Sequence, residues 1–144
     1  MSRRAQGERG PSTENAIAKL GGLLDAQHKY GDAQVLLAPL EAEARGAGTA
    51  YYKGPHARIL RNLGVARTQL GQFAAAEADL LTARAAYMSN VLDAREMRKC
   101  AQAIVDLYDA WNRAEPGKGY AAKAAEWKRK LAAPESQASG AASH

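Results

Sequence analysis

The sequence predicts an all-α chain built from consecutive helical hairpins, and three observations carry that expectation. Alanine dominates the apolar fraction while Val, Ile and Thr are scarce, which starves a sheet of the β-branched residues its faces require. Ala with Leu, Lys, Arg and Glu is strong helix-forming composition. Apolar residues then recur at helical spacing in six stretches separated by Gly- or Pro-bearing breaks. Alanine buries little area, so each helix gains modest hydrophobic energy. It also lets helices approach closely, as in tightly stacked hairpins.

The elements follow in order. Residues 1–12 are polar, with Gly7, Gly10 and Pro11, and are expected to be a disordered lead. Ser12 or Thr13 is placed to cap the first helix, whose apolar face carries Ile17, Leu20 and Leu24. Gly31-Asp32 is expected to break the chain after Tyr30. The second helix presents Ala33, Leu36, Leu37, Leu40 and Ala44 on one face, and Pro39 should kink it or mark its start. Residues 46–55 form the longest connection.

A third helix is expected from about His56 to Leu70, with Ile59, Leu60, Leu63, Ala66 and Leu70 inward. Gly71-Gln72 is a tight turn. The fourth helix aligns Ala76, Leu80, Ala83 and Tyr87. The fifth, about Asp93 to Asn112, carries Met97, Ala101, Ile104, Tyr108 and Trp111. Pro116 and Gly117 end its connection. The last, about Tyr120 to Ala132, aligns Tyr120, Ala124, Trp127 and Leu131, and Pro134 stops it. Residues 13–133 thus form one helical domain, and 134–144 a disordered tail.

Six helices in three pairs point to an internal repeat. The clearest unit runs from Arg61 to Ala83. Leu60, Leu63 and Gly64 supply its first helix, Gly71 and Phe73 its turn, and Ala76, Leu80 and Ala83 its second helix. This unit resembles the tetratricopeptide repeat. Gly64 and Ala76 are small where the two helices cross. Leu24, Gly64 and Val105 are spaced by about forty residues, longer than the common repeat. That spacing resembles the variety in kinesin light chains and in bacterial signalling proteins. Gly54-Pro55-His56-Ala57 looks like its inter-repeat segment, and Leu107–Trp111 with Lys123–Trp127 resembles the last repeat of arrays fused to serine/threonine kinases. The resemblance implies a short right-handed solenoid of about three antiparallel hairpins, with the first helix of each lining a concave groove. It implies an adaptor or scaffold that binds a peptide or helix of another protein.

Motifs for chemistry are missing from the sequence. The net charge of +5 is spread along the chain, with no basic stripe and interleaved aromatics of the kind nucleic-acid binders use. No apolar run approaches the ~20 residues of a membrane span, and no apolar segment follows Arg3-Arg4, so a secretory signal is not expected and a cytoplasmic location is. His28, His56 and His144 are not spaced to chelate a metal on a helix. Cys100 is alone, which fits a buried inert thiol better than a nucleophile. Gly46-x-Gly48 lacks the residues of a phosphate loop. Asp106 and Asp109 fit a solvated face better than an acid–base pair. The expectation is therefore no enzyme, no cofactor and no metal.

Groove candidates are the residues of the first helices that lie off the apolar stripe. They are Arg58, Arg61, Asn62, Val65, Thr68 and Gln69 in the middle unit, Lys99, Gln102, Asp106 and Asp109 in the third, and Asp25, His28 and Lys29 in the first. Asn62 occupies the position where resembling arrays use asparagine to hold a ligand backbone, and its amide both donates and accepts. Arg58, Arg61 and Lys99 suit an acidic segment or a C-terminal carboxylate. Leu20, Leu23 and Leu24 offer an alternative: an N-terminal helix face through which a second copy of the chain associates, making the protein a structural unit. Lys123, Glu126, Lys128, Arg129 and Lys130 give the last helix the polar face of a cap.

Overall fold

The computed structural model describes residues 11–47, 54–88 and 94–132, so residues 1–10 of the expected lead (1–12) and all of the expected tail (134–144) lie outside the described residues, while Pro11 and Ser12 of that lead fall in a helix. Every element among those described is helical: α1 (Pro11–Ala26), α2 (Tyr30–Leu37), α3 (Glu41–Ala47), α4 (Gly54–Gln69), α5 (Phe73–Met88), α6 (Ala94–Ala114) and α7 (Tyr120–Ala132). A 3₁₀ turn, Ala38–Leu40, joins α2 to α3 with Pro39 at its centre. Proline lacks an N–H and crowds the preceding turn, so α2 and α3 are one bent helix, as the sequence predicts. None of the described helices is long and apolar enough to cross a membrane.

Two turns use the same device. At the end of α4, Gly71 adopts φ 79°, and the Gln72 N–H donates to the Arg67 carbonyl at 2.8 Å. At the end of α1, His28 adopts φ 63°, and the Lys29 N–H donates to the Leu24 carbonyl at 2.8 Å. Both are left-handed helix terminations that satisfy the last carbonyls. This corrects the expected break at Gly31-Asp32: Gly31 lies inside α2, and the non-glycine His28 supplies the left-handed residue. The His28 ring is held by a 2.9 Å hydrogen bond between its Nδ1 and the Tyr30 hydroxyl. Two smaller corrections follow. α1 starts at Pro11, which puts Ser12 and Thr13 in its first turn, and Leu70 belongs to the turn and is exposed rather than inward.

The first two hairpins share features at a constant offset. Gly21 and Gly64, His28 and Gly71, Ala33 and Ala76, and Leu37 and Leu80 are each 43 positions apart (21 to 64, 28 to 71, 33 to 76, 37 to 80) and play matching parts. A Cβ on Gly21 would lie 2.7 Å from Leu37 Cδ1, and one on Gly64 would lie 2.5 Å from Leu80 Cγ. In each hairpin a glycine on the first helix admits a buried leucine from the second. The residue equivalent to Gly64 is therefore Gly21, not Leu24, at a spacing of 43 positions (21 to 64). The third hairpin turns through Glu115–Gly119, where Gly117 and Gly119 have φ 82° and 94°.

Helix α4 lies at the centre. It packs on α5, its hairpin partner, on α1, α2 and α3, and on α6. The first helices of the three pairs are thus neighbours in the order α1, α4, α6. Leu37, Ile59, Leu60, Leu63, Leu80, Tyr87, Ile104 and Leu107 are fully buried between the layers, each apolar side chain contributing about 1.5–3 kcal/mol. Phe73, Tyr108, Trp111 and Tyr120 stack where α5, α6 and α7 meet, with Trp111 and Tyr120 centroids 4.1 Å apart. Trp127 lies between Arg84 at 4.6 Å and Lys130 at 4.2 Å. Both tryptophans pack structurally, as their helical stripe predicts.

Candidate functional site

Three helix faces converge on one hollow of about 610 Å³, lined by Asn15, Ala18, Lys19 and Gly22 of α1, Arg58, Arg61 and Asn62 of α4, and Glu96 and Lys99 of α6. The lining residues recur every three or four positions on each helix, which is the spacing of a single helical face. Ala18 and Gly22 keep the α1 wall thin. A Cβ on Gly22 would lie 3.2 Å from the Asn62 amide nitrogen.

The hollow holds four cations and one carboxylate. Arg61 pairs with Glu96, and Lys99 approaches the other Glu96 oxygen at 3.6 Å. Burial opposes the Glu96 charge, but the hydrogen bond from Arg61, reinforced by Lys99 and Arg58, holds its carboxyl below the usual glutamate range. Arg58 donates to Asn15 Oδ1 at 3.5 Å. Neither Arg58 nor Lys19 has a carboxylate in ion-pair contact among the described residues. Positive charge therefore outweighs negative in the hollow.

The predicted groove residues are distributed unevenly. Arg58, Arg61, Asn62 and Lys99 meet in this hollow. Asn62 is 5 % exposed, and its Nδ2 donates to the Ala18 carbonyl at 2.9 Å. It fixes α4 to the α1 backbone, so the amide hydrogen that the sequence reading offers to a ligand backbone is engaged within the fold. Gln102 and Asp106 are bonded to each other at 3.0 Å and line a second hollow of about 390 Å³ between α6 and α7. Val65 is half-buried against the core, and Gln69 is exposed at the end of α4. Thr68 is buried, its hydroxyl donating to the Gly64 carbonyl at 2.8 Å, so it leaves the groove set. His28 and Lys29 sit in the first turn. Leu20 and Leu23 are exposed and Leu24 is half-buried; Val35, in the same hairpin, is 76 % exposed.

Sequence reasoning missed Asn15, Lys19 and Glu96. The signal for Glu96 was its place three residues before Lys99 on one helix face. Lys19 becomes a wall residue only because Ala18 and Gly22 let α1 lie close to α4.

Asp25, on α1, has both carboxylate oxygens buried without a hydrogen-bond partner among the described residues. Burial pushes its carboxyl up to about 7, against the opposing charge of Arg61. The folded chain thus holds this proton more tightly than the unfolded one. The resulting stabilisation is complete below about pH 4 and is lost as the pH rises through about 7. Asp25→Asn should therefore raise stability at pH 7.5 by about 1 kcal/mol, allowing for the side chain's partial contact with solvent. The gain should vanish by about pH 4. Thermal melts of both proteins at the two pH values provide the check.

Cys100 is buried, its thiol donates to the Leu80 carbonyl at 3.4 Å, and burial pushes it up to about 12. A thiol so held is not a nucleophile near neutral pH. Asp106 bonds Gln102 and Asp109 pairs with Lys128 at 3.7 Å, and both line the hollow between α6 and α7. Among the described residues no three His, Cys, Asp or Glu side chains gather as a metal site. Comparison with family models, with curated proteins and with solved structures finds no match for this chain.

Proposed function

We propose that this chain is a protein-interaction module of the tetratricopeptide type, a short right-handed solenoid of three hairpins. It takes an acidic segment of a partner protein into the hollow between α1, α4 and α6, and it performs no catalysis. The solenoid reading is supported by the 43-residue correspondence of the first two hairpins and by the side-by-side order of α1, α4 and α6. The observation that carries the binding reading is the convergence of Lys19, Arg58, Arg61 and Lys99 around one carboxylate, Glu96. Carboxylates bind guanidinium and ammonium groups through charge-assisted hydrogen bonds, and an extended peptide presents them along its length.

Hexaglutamate, with hexaglutamine as control, is a suitable probe. The wild-type chain should bind hexaglutamate, more weakly as salt is raised, and should ignore hexaglutamine. A Lys19→Glu/Arg58→Glu variant should lose roughly tenfold or more in affinity, since two attractions become repulsions. Equal affinity for the two peptides, or no loss in the variant, would sink the reading.

A second reading is favoured by one observation, the exposure of Leu20 (46 %), Leu23 (53 %) and Val35 (76 %) in the first hairpin. On this reading that face pairs with a second copy and the chain is a structural oligomerisation unit. A monomer mass unchanged over a wide concentration range removes it.

A further inference from the structure

We propose that Glu96 is an internal stand-in for a ligand carboxylate, so that the hollow selects segments carrying two carboxylates over those carrying one. The inference rests on the acidic-segment reading above. Its basis is the division of the four cations into two pairs. Lys19 and Arg58 face the hollow with no carboxylate in ion-pair contact among the described residues, although Arg58 lies near enough to Glu96 to favour its charge. Arg61 and Lys99 are already engaged by the two oxygens of Glu96. The Tyr87 hydroxyl, 3.4 Å from Glu96 Oε1, adds a third contact.

A ligand with one carboxylate finds only the outer pair. Lys19 is exposed and Arg58 half-buried, so solvent screens much of the attraction. Arg61 is the stronger anchor, because its side chain is only 11 % exposed and a guanidinium can hold a carboxylate with two parallel hydrogen bonds. Reaching it requires Glu96 to let go. For a free carboxylate that exchange gains little, since one ion pair replaces another. For a second carboxylate on a segment already held by Lys19 and Arg58, the exchange is intramolecular and proceeds at high effective concentration. Glu96 then returns to water from the first turn of α6, where its side chain already keeps 15 % exposure. Its effect is a threshold: it weakens every acidic ligand, and single charges most.

Blocked, otherwise neutral hexapeptides with one or two glutamates test this by NMR-detected titration. Wild type should favour the two-glutamate peptide by about tenfold or more, and Glu96→Gln should bind the one-glutamate peptide about tenfold tighter than wild type, narrowing the preference. An unchanged preference in Glu96→Gln, with both peptides binding, would overturn the stand-in role and leave the acidic-segment reading intact. No binding of either peptide by either protein would overturn both. A readout on the wild type is independent of how the variant folds. Its Glu96 carboxyl, faced by Arg61, Lys99, Arg58 and the Tyr87 hydroxyl, should titrate higher when saturated with the two-glutamate peptide, because Arg61 has left it. A carboxyl that titrates at the same pH with and without that peptide would contradict the exchange.

Discussion

Asp79→Ala is expected to cost about 3 kcal/mol of folding stability, at the lower end of what breaking a buried ion pair removes. Asp79 is fully buried on α5, and its two oxygens accept from Arg45 of α3 and Arg67 of α4, each at 2.7 Å. The same two arginines reach Glu41 of α3 at 2.9 and 2.8 Å. Two guanidiniums and two carboxylates thus close a ring that joins the first and second hairpins. Burial works against the Glu41 charge, but the hydrogen bond with Asp79 and those from Arg67 and Arg45 more than offset it and hold that carboxyl at about 2, while burial and the neighbouring Glu41 push the Asp79 carboxyl up to about 7. Removing Asp79 leaves Arg67, whose side chain is 12 % exposed, with half its partners and no route to full hydration. Arg45 is 36 % exposed and can turn to solvent, which keeps the loss from the upper end. Against a typical stability of about 5–15 kcal/mol the change is large, and urea unfolding will read it. A loss below about 1 kcal/mol would mean that the ring contributes no more than a surface pair.

Gly64→Leu should be as damaging for a different reason. A Cβ at this position would lie 2.5 Å from Leu80 Cγ, 2.7 Å from Leu80 Cδ2 and 3.4 Å from the Ala76 carbonyl oxygen. Leu80 is fully buried, and the near atom is its branch point rather than a movable end, so α4 and α5 must separate. Overpacking of this kind costs about 1–3 kcal/mol and sometimes more, and the leucine should reach the top of that range. Gly64→Ala is the informative control. It gains about 1 kcal/mol in helix propensity yet meets the same clash, so a net loss is expected. A stabilised Gly64→Ala chain, measured by urea unfolding, would show that Leu80 yields freely and that the glycine is not required by close approach.

These two sites also divide what the sequence displays from what it hides. Gly64, Ala76, Leu80 and Ala83 stand at helical spacing around a glycine turn, so the middle hairpin was legible without coordinates. Its counterpart was misaligned because the left-handed residue of the first turn is His28. An L-residue with positive φ leaves no mark in composition, whereas Gly31 nearby looks like a break. Asp79 was invisible for another reason. A lone acid on an alanine-rich helix resembles a solvated one, and its partners Glu41, Arg45 and Arg67 come from two other helices. The functional surface follows the same pattern. Arg58, Arg61 and Lys99 could be chosen because they lie off the apolar stripe of first helices. Asn62 was assigned to a ligand because nothing local tells that α1 crosses it and offers the Ala18 carbonyl. Lys19 and Glu96 join the site only through the packing of α1 and α6 on α4.

The most direct test of the central claim is an amide-resolved NMR titration of the full chain with hexaglutamate. The account predicts saturable shifts concentrated at Lys19, Arg58, Arg61, Glu96 and Lys99, weakening together as salt is added. Shifts confined to the Leu20–Leu23 face or to the Gln102–Asp106 hollow, or no saturable shift at all, would contradict it.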